Sequence, residues 1–211
     1  TVLVTVEEPV EVTVSYDVAA SADDCYATET WSAYNQDILY WPYTNGDRRA
    51  FMRWAIDVPA DATIDSAVVK VKSNGEAGDG NASTVRLQLV DSDDCPDFTT
   101  NPHDSAVTSG YVDWSVDGTW TDGQWYSSPD VSSIVQEFID RSGYASGNYL
   151  GLRGINQSGL WKRAYQIDHA TADAPVLEVT YTTDGGGNQP PVADAGSDQE
   201  VNDQDGDGSE T

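Results

Sequence analysis

The residues best suited to chemistry in this chain are carboxylates near its end. Asp203-Gln-Asp205-Gly-Asp207-Gly208 reads D-x-D-x-D-G, the opening of a calcium loop. Alternating Asp oxygens with a turn-forming glycine suit a hard cation that takes oxygen ligands. The later bidentate carboxylate of such a loop would fall beyond Thr211, so a solvated acidic linker is the competing reading. Asp23-Asp24-Cys25 and Asp93-Asp94-Cys95 are the alternative metal candidates. Calcium, in a structural role, is the cofactor these patterns suggest.

Cys25 and Cys95 are the two cysteines, with no C-x-x-C or Cys/His spacing of a zinc site. In an exported protein a single Cys25–Cys95 disulfide is the natural reading, with two free thiols as the alternative. Such a bridge would add roughly 3–5 kcal/mol on the chain-entropy estimate. It would also bring the two acidic pairs together, where a cation would relieve their repulsion.

Aromatic side chains offer a different chemistry, since exposed rings stack on sugar faces. Trp31, Trp41, Tyr43 and Trp161 lie in polar contexts and are the carbohydrate-binding candidates, whereas Trp54 and Trp114 read as core. Asn81-Ala-Ser83 and Asn156-Gln-Ser158 fit the glycosylation pattern in expected loops. Nothing points to catalysis. The two histidines, His103 and His169, sit in polar stretches, and no G-x-S-x-G, H-E-x-x-H or phosphate loop occurs. The expected catalytic set is empty and the chain reads as not an enzyme.

With 36 acidic against 10 basic residues the net charge is −26. That balance excludes nucleic acid, whose phosphates need clustered Lys and Arg. It also argues against anionic membrane surfaces, and no apolar run approaches the roughly 20 residues of a membrane helix. No signal peptide is visible and residue 1 is Thr, so the numbering reads as a processed chain or a fragment.

The elements that would position these residues are mostly strands. Val2, Val4 and Val6 alternate, then Val10, Val12 and Val14, with Pro9 between them. Met52, Trp54 and Ile56 share one strand face; Val85, Leu87 and Leu89 share another. Residues 91–129 are irregular and rich in Asp and Trp. Val131, Ile134, Val135, Phe138 and Ile139 recur at helical spacing, predicting one short helix over about 131–140, with Ser133 and Gln136 as a capping box. Two more strands follow, 149–153 and 176–181, with another between 160 and 168. The domain reading is a strand at 1–9 from or pairing with a neighbouring Ig-like repeat, a β-sandwich at 10–183, a Gly/Pro linker at 184–191 and an acidic segment at 192–211.

Arg48-Arg49-Ala-Phe-Met-Arg-Trp54, Ile64-Asp-Ser-Ala67, the helix opening Asp130-Val-Ser-Ser and the closing Pro175-Val-Leu-Glu-Val-Thr-Tyr181 together resemble the DNRLRE-type extracellular domain. The namesake hexapeptide is absent, and GDRRAF stands nearest to it. The resemblance covers roughly 12–183 and implies an all-β jelly-roll sandwich from a secreted multidomain protein. Some such domains are carbohydrate-binding modules, including ones for alginate-like polysaccharides. NQPPVADAGSDQEV (188–201) and TVLVTVEEP (1–9) resemble the opening and closing strands of a PKD-type Ig-like repeat.

Together these readings predict a non-catalytic structural or adhesive module at the cell surface or in a filament. It would assemble through its end strands with other copies of the chain or neighbouring Ig-like repeats. The alternative is a carbohydrate-binding module attached to a polysaccharide-degrading enzyme, with polysaccharide as its partner.

Overall fold

A computed structural model of the chain describes residues 8–41, 48–75, 82–116, 118–159 and 162–183. Period-two alternation of β-branched and aromatic side chains drives most of it into strands. In chain order these are β1 (Val10–Asp17), β2 (Asp24–Thr28), β3 (Trp31–Ala33), β4 (Ile38–Trp41), β5 (Arg49–Ala55), β6 (Thr63–Lys72), β7 (Ser83–Leu89), β8 (Val112–Val116), β9 (Trp125–Ser127), the helix α1 (Ser132–Ile139), β10 (Tyr149–Gly159), β11 (Lys162–Tyr165) and β12 (Val176–Thr183).

One sheet runs β1-β12-β6-β9, a second runs β3-β2-β5-β10-β7-β8, and β11 pairs with β4. Setting aside β2, β3, β4 and β11, the remaining strands order as first-eighth-third-sixth and second-seventh-fourth-fifth. Chain partners 1–8, 2–7, 3–6 and 4–5 thus wrap together as a hairpin folded over on itself, which is a jelly roll. The fold is an all-β sandwich with one short helix.

The inward faces of both sheets build the main core. Met52 and Trp54 from β5, Leu150 and Leu152 from β10, Val69 and Val71 from β6, and Leu177 and Val179 from β12 are all at most 1% exposed. Trp54 also donates its indole N–H to the Pro175 carbonyl at 3.1 Å, so its one polar atom is satisfied inside the core. Truncating such a ring costs about 3–5 kcal/mol. Trp114 is 5% exposed, and Trp120 stacks on Tyr126 at 4.5 Å.

The helix buries Ile134, Val135, Phe138 and Ile139. Its start differs from the capping box read from sequence. Asp130, ahead of the helix, accepts from the Ser132 amide at 3.0 Å and from the Ala67 amide at 2.9 Å. Gln136 instead accepts from the Ile64 amide at 2.8 Å and donates to the Ala62 carbonyl. A carboxylate already engaged with β6 does the capping, which leaves Gln136 to fix the helix against the same strand.

Residues 91–107, read from sequence as irregular, form a strap over the outer face of the six-stranded sheet. The Cys95 amide donates to the Tyr149 carbonyl at 2.9 Å and the Phe98 amide to the Ala22 carbonyl at 2.8 Å. Beneath it Cys25, Ala27, Phe51, Val90, Cys95 and Phe98 form a second, smaller apolar cluster.

Candidate functional site

Beyond β2 the chain doubles back into β3, only three residues long and at the edge of its sheet. A strand that short cannot bury its own Trp31, which stays 44% exposed. The following loop is held from behind. Gln166, fully buried, donates to the Ala33 carbonyl at 3.0 Å and accepts from the Gln36 amide at 3.2 Å. The result is an open cleft of about 290 Å³ lined by Tyr26, Asn35, Gln36, Asp37, Ile38 and Tyr40.

Aromatic rings build the cleft wall. Tyr26 meets Trp31 edge-on at 5.3 Å and Tyr40 at 4.7 Å. The Arg48 guanidinium lies 5.3 Å from the Tyr26 ring and 4.8 Å from Tyr40, and Arg163 lies 5.0 Å from Tyr40. These cations sit against the electron-rich ring faces and hold the rings in place. Burial, the largest influence, raises the Tyr26 phenol above its ordinary value, with Arg48 acting against it. Aromatic rings beside amide and carboxylate groups are the side-chain chemistry that suits the faces and hydroxyls of a sugar, with Tyr26 itself only 8% exposed.

Of the four aromatic candidates, Trp31 is not among the cleft's lining residues but meets one of them, Tyr26, edge-on. The Trp41 backbone lies in β4, and its side chain, Tyr43 and Trp161 fall outside the described residues. Asp203, Asp205, Asp207 and Asn81 also fall outside them. Asn156 is in strand β10 opposite Val85 rather than in a loop, and its amide donates to the Gly159 carbonyl at 3.1 Å.

Arginines and backbone amides engage most of the acidic side chains in these two pairs. Asp23, 2% exposed, pairs with Arg53 at 2.6 Å, and Arg53 also donates to the Cys95 carbonyl at 2.7 Å while stacking 3.9 Å from the Tyr149 ring. Asp93 pairs with Arg141 at 2.6 Å, and Asp94 accepts from the Tyr149 amide at 2.8 Å. Among the described residues no group of three or more His, Cys, Asp or Glu side chains is placed to hold a metal. Asp24 is fully buried; one oxygen accepts from the Ile167 amide at 3.1 Å and the other has no hydrogen-bond partner. Burial raises its carboxyl well above the ordinary aspartate range.

The expected Cys25–Cys95 bridge is not formed. Both are free thiols buried in the cluster under the strap. Apolar burial pushes Cys95 up to about 12 and Cys25 well above the ordinary thiol value, so both stay protonated. The Cys95 thiol donates to the Pro96 carbonyl at 3.6 Å.

Another aromatic group escaped the sequence reading. Tyr165 stacks on His169 at 3.8 Å and donates to Asp122 at 2.9 Å. His169 pairs with Asp173 at 2.6 Å, and Asp173 pairs with Lys72 at 2.5 Å. Trp125, 43% exposed, has the Lys72 ammonium 6.0 Å from its ring. The available signal was the alternation Trp125-Tyr126-Ser127, which marks a short strand with Tyr126 turned inward.

No protein-family model matches the chain, and no curated protein matches it. Among solved structures it matches one described as the structure of the infectious bursal disease virus Gx strain, at 13% identity and a TM-score of 0.24. That match covers 86% of this chain, which spans 38% of the viral one.

Proposed function

We propose that this chain is a non-catalytic adhesive module of an extracellular multidomain protein, and that its adhesive contact is with polysaccharide at the Tyr26–Tyr40 cleft. The observation that carries the reading is Trp31. A large indole left 44% exposed, in edge contact with the cleft residue Tyr26, is a surface suited to a flat apolar face. The polar lining from Asn35 to Asp37 supplies donors and acceptors for hydroxyls. The resemblance to the DNRLRE-type domains agrees with it. A glycan array tests the reading: wild type retains one or more glycans, and Trp31→Ala loses them while keeping its Tm. An array with no bound glycan overturns it.

A second reading has its own observation. β1 is the edge of its sheet, paired along its whole length with β12 on one side. Val10 at its start is 51% exposed. Such an edge accepts a further strand, so assembly with a neighbouring repeat or another copy is the alternative role. Light scattering at rising salt separates the two, because assembly grows once the charge repulsion is screened.

A further inference from the structure

β4 and β11 are joined to the β1-β12-β6-β9 sheet through an isolated bridge between Ala164 and Ser73. The Asn74 amide donates to the Arg163 carbonyl at 3.2 Å. On its other side, Ser73 exchanges hydrogen bonds with the segment before β9: its amide donates to the Gln124 carbonyl and its carbonyl accepts from the Gly123 amide, both at 2.9 Å. One continuous ribbon, β4–β11–β6–β9, therefore runs across this end of the sandwich.

Register places its side chains. Leu39, Ala164 and Ser73 are fully buried and mark the inward face. Tyr40 is opposite Arg163, and Lys72 is opposite Trp125. Their neighbours one residue along point inward, so Tyr40, Arg163, Tyr165, Lys72 and Trp125 share the outward face. Ring contacts agree: Arg163 lies against Tyr40 and Lys72 against Trp125. The loops at 75 and 122 meet closely enough to seal the strip, since a methyl at Gly75 would lie 2.4 Å from Asp122 Cβ.

We infer that this ribbon is an extended subsite for a neutral polysaccharide, running from the Tyr26–Tyr40 cleft to Trp125, with Tyr165 and His169 between them. Resting on the polysaccharide reading above, it adds the ligand's length and charge. Three strand spacings separate Tyr40 from Trp125, about 14 Å across the ribbon. That is several sugar units, too far for a ligand bound only by its chain end. Charge selects the neutral class. Arg48, Arg163 and Lys72 balance Asp37, Asp122 and Asp173 along the strip, in a chain that carries −26 overall. A polyanion would meet no net attraction here and repulsion from the surrounding surface.

The test is calorimetric titration of the whole chain with neutral gluco-, manno- and xylo-oligosaccharides of graded length, and with an alginate hexasaccharide. At least one neutral hexasaccharide is expected to bind about tenfold or more tighter than its disaccharide. Trp125→Ala should erase that gain, bringing the hexasaccharide to the disaccharide level with Tm unchanged. Length-independent affinity, or a Trp125→Ala variant that binds like wild type, overturns the extended subsite while Trp31 dependence preserves the cleft reading. Preference for the alginate hexasaccharide overturns the neutral assignment. Failure of every sugar to bind overturns both.

Discussion

Two regions of this molecule use the same arginine–tyrosine contact to opposite ends. Under the strap Arg53 lies 3.9 Å from the Tyr149 ring and is also locked to Asp23 and the Cys95 carbonyl. At the cleft Arg48 and Arg163 lie 4.8 and 5.0 Å from Tyr40, and no strap crosses the rings there among the described residues. Covering an arginine–aromatic pair converts it into a structural tie, because the charge must then find fixed partners. Leaving the neighbourhood uncovered keeps the adjacent Trp31 indole 44% exposed for a ligand. What separates the two regions is the segment 91–107, laid over one sheet face and absent from the other.

The largest effect should come from breaking the covered pair. Arg53→Met leaves Asp23 buried with no cation and is expected to cost about 3–5 kcal/mol, read by urea unfolding. Gly151→Ala attacks the same region through packing. Its methyl would lie 2.4 Å from Cys95 Sγ and 3.3 Å from Val90 Cβ, so a loss of about 1–3 kcal/mol is expected by the same measurement.

Asp24 gives an effect that depends on pH. Its carboxyl is raised in the folded state, so folding favours its protonated form and that contribution is intact at acid pH. It declines as pH rises through the ordinary aspartate range toward the raised folded value. Asp24→Asn, which cannot ionise, should therefore gain stability relative to wild type as pH climbs from 4 to 8, by up to about 1.4 kcal/mol per pH unit. Parallel melting curves at the two pH values would contradict this. At the open cleft Trp31→Ala should change stability by no more than about 0.5–1 kcal/mol while removing glycan binding.

Strand alternation makes much of the fold legible in the sequence. Met52 and Trp54 on one face, Val85-x-Leu87-x-Leu89 and the helical spacing from Val131 to Ile139 each led to the element that forms. The strap was not legible, because a segment that covers a sheet has no period; its apolar anchors Cys95 and Phe98 are set by where the chain crosses Gly151 and Phe51. The same holds for Asp23 and Asp93. A run of carboxylates reads as a cation site, and the partners that two of them find, Arg53 for Asp23 and Arg141 for Asp93, are distant in sequence and so invisible in the run itself. Trp31 was singled out from its polar neighbours, whereas Trp125 and Tyr165 needed the register that joins β11 to β6.

On the proposed function the open aromatic face binds sugar while the covered one only holds the fold. Indole N–H signals in a nitrogen-labelled sample report on both at once. On titration with the neutral hexasaccharide that binds best, the Trp31 and Trp125 signals should shift and saturate together, while those of the buried Trp54 and Trp120 stay in place. Saturable shifts confined to the buried indoles, or no shift at Trp31 with any sugar, would contradict the account.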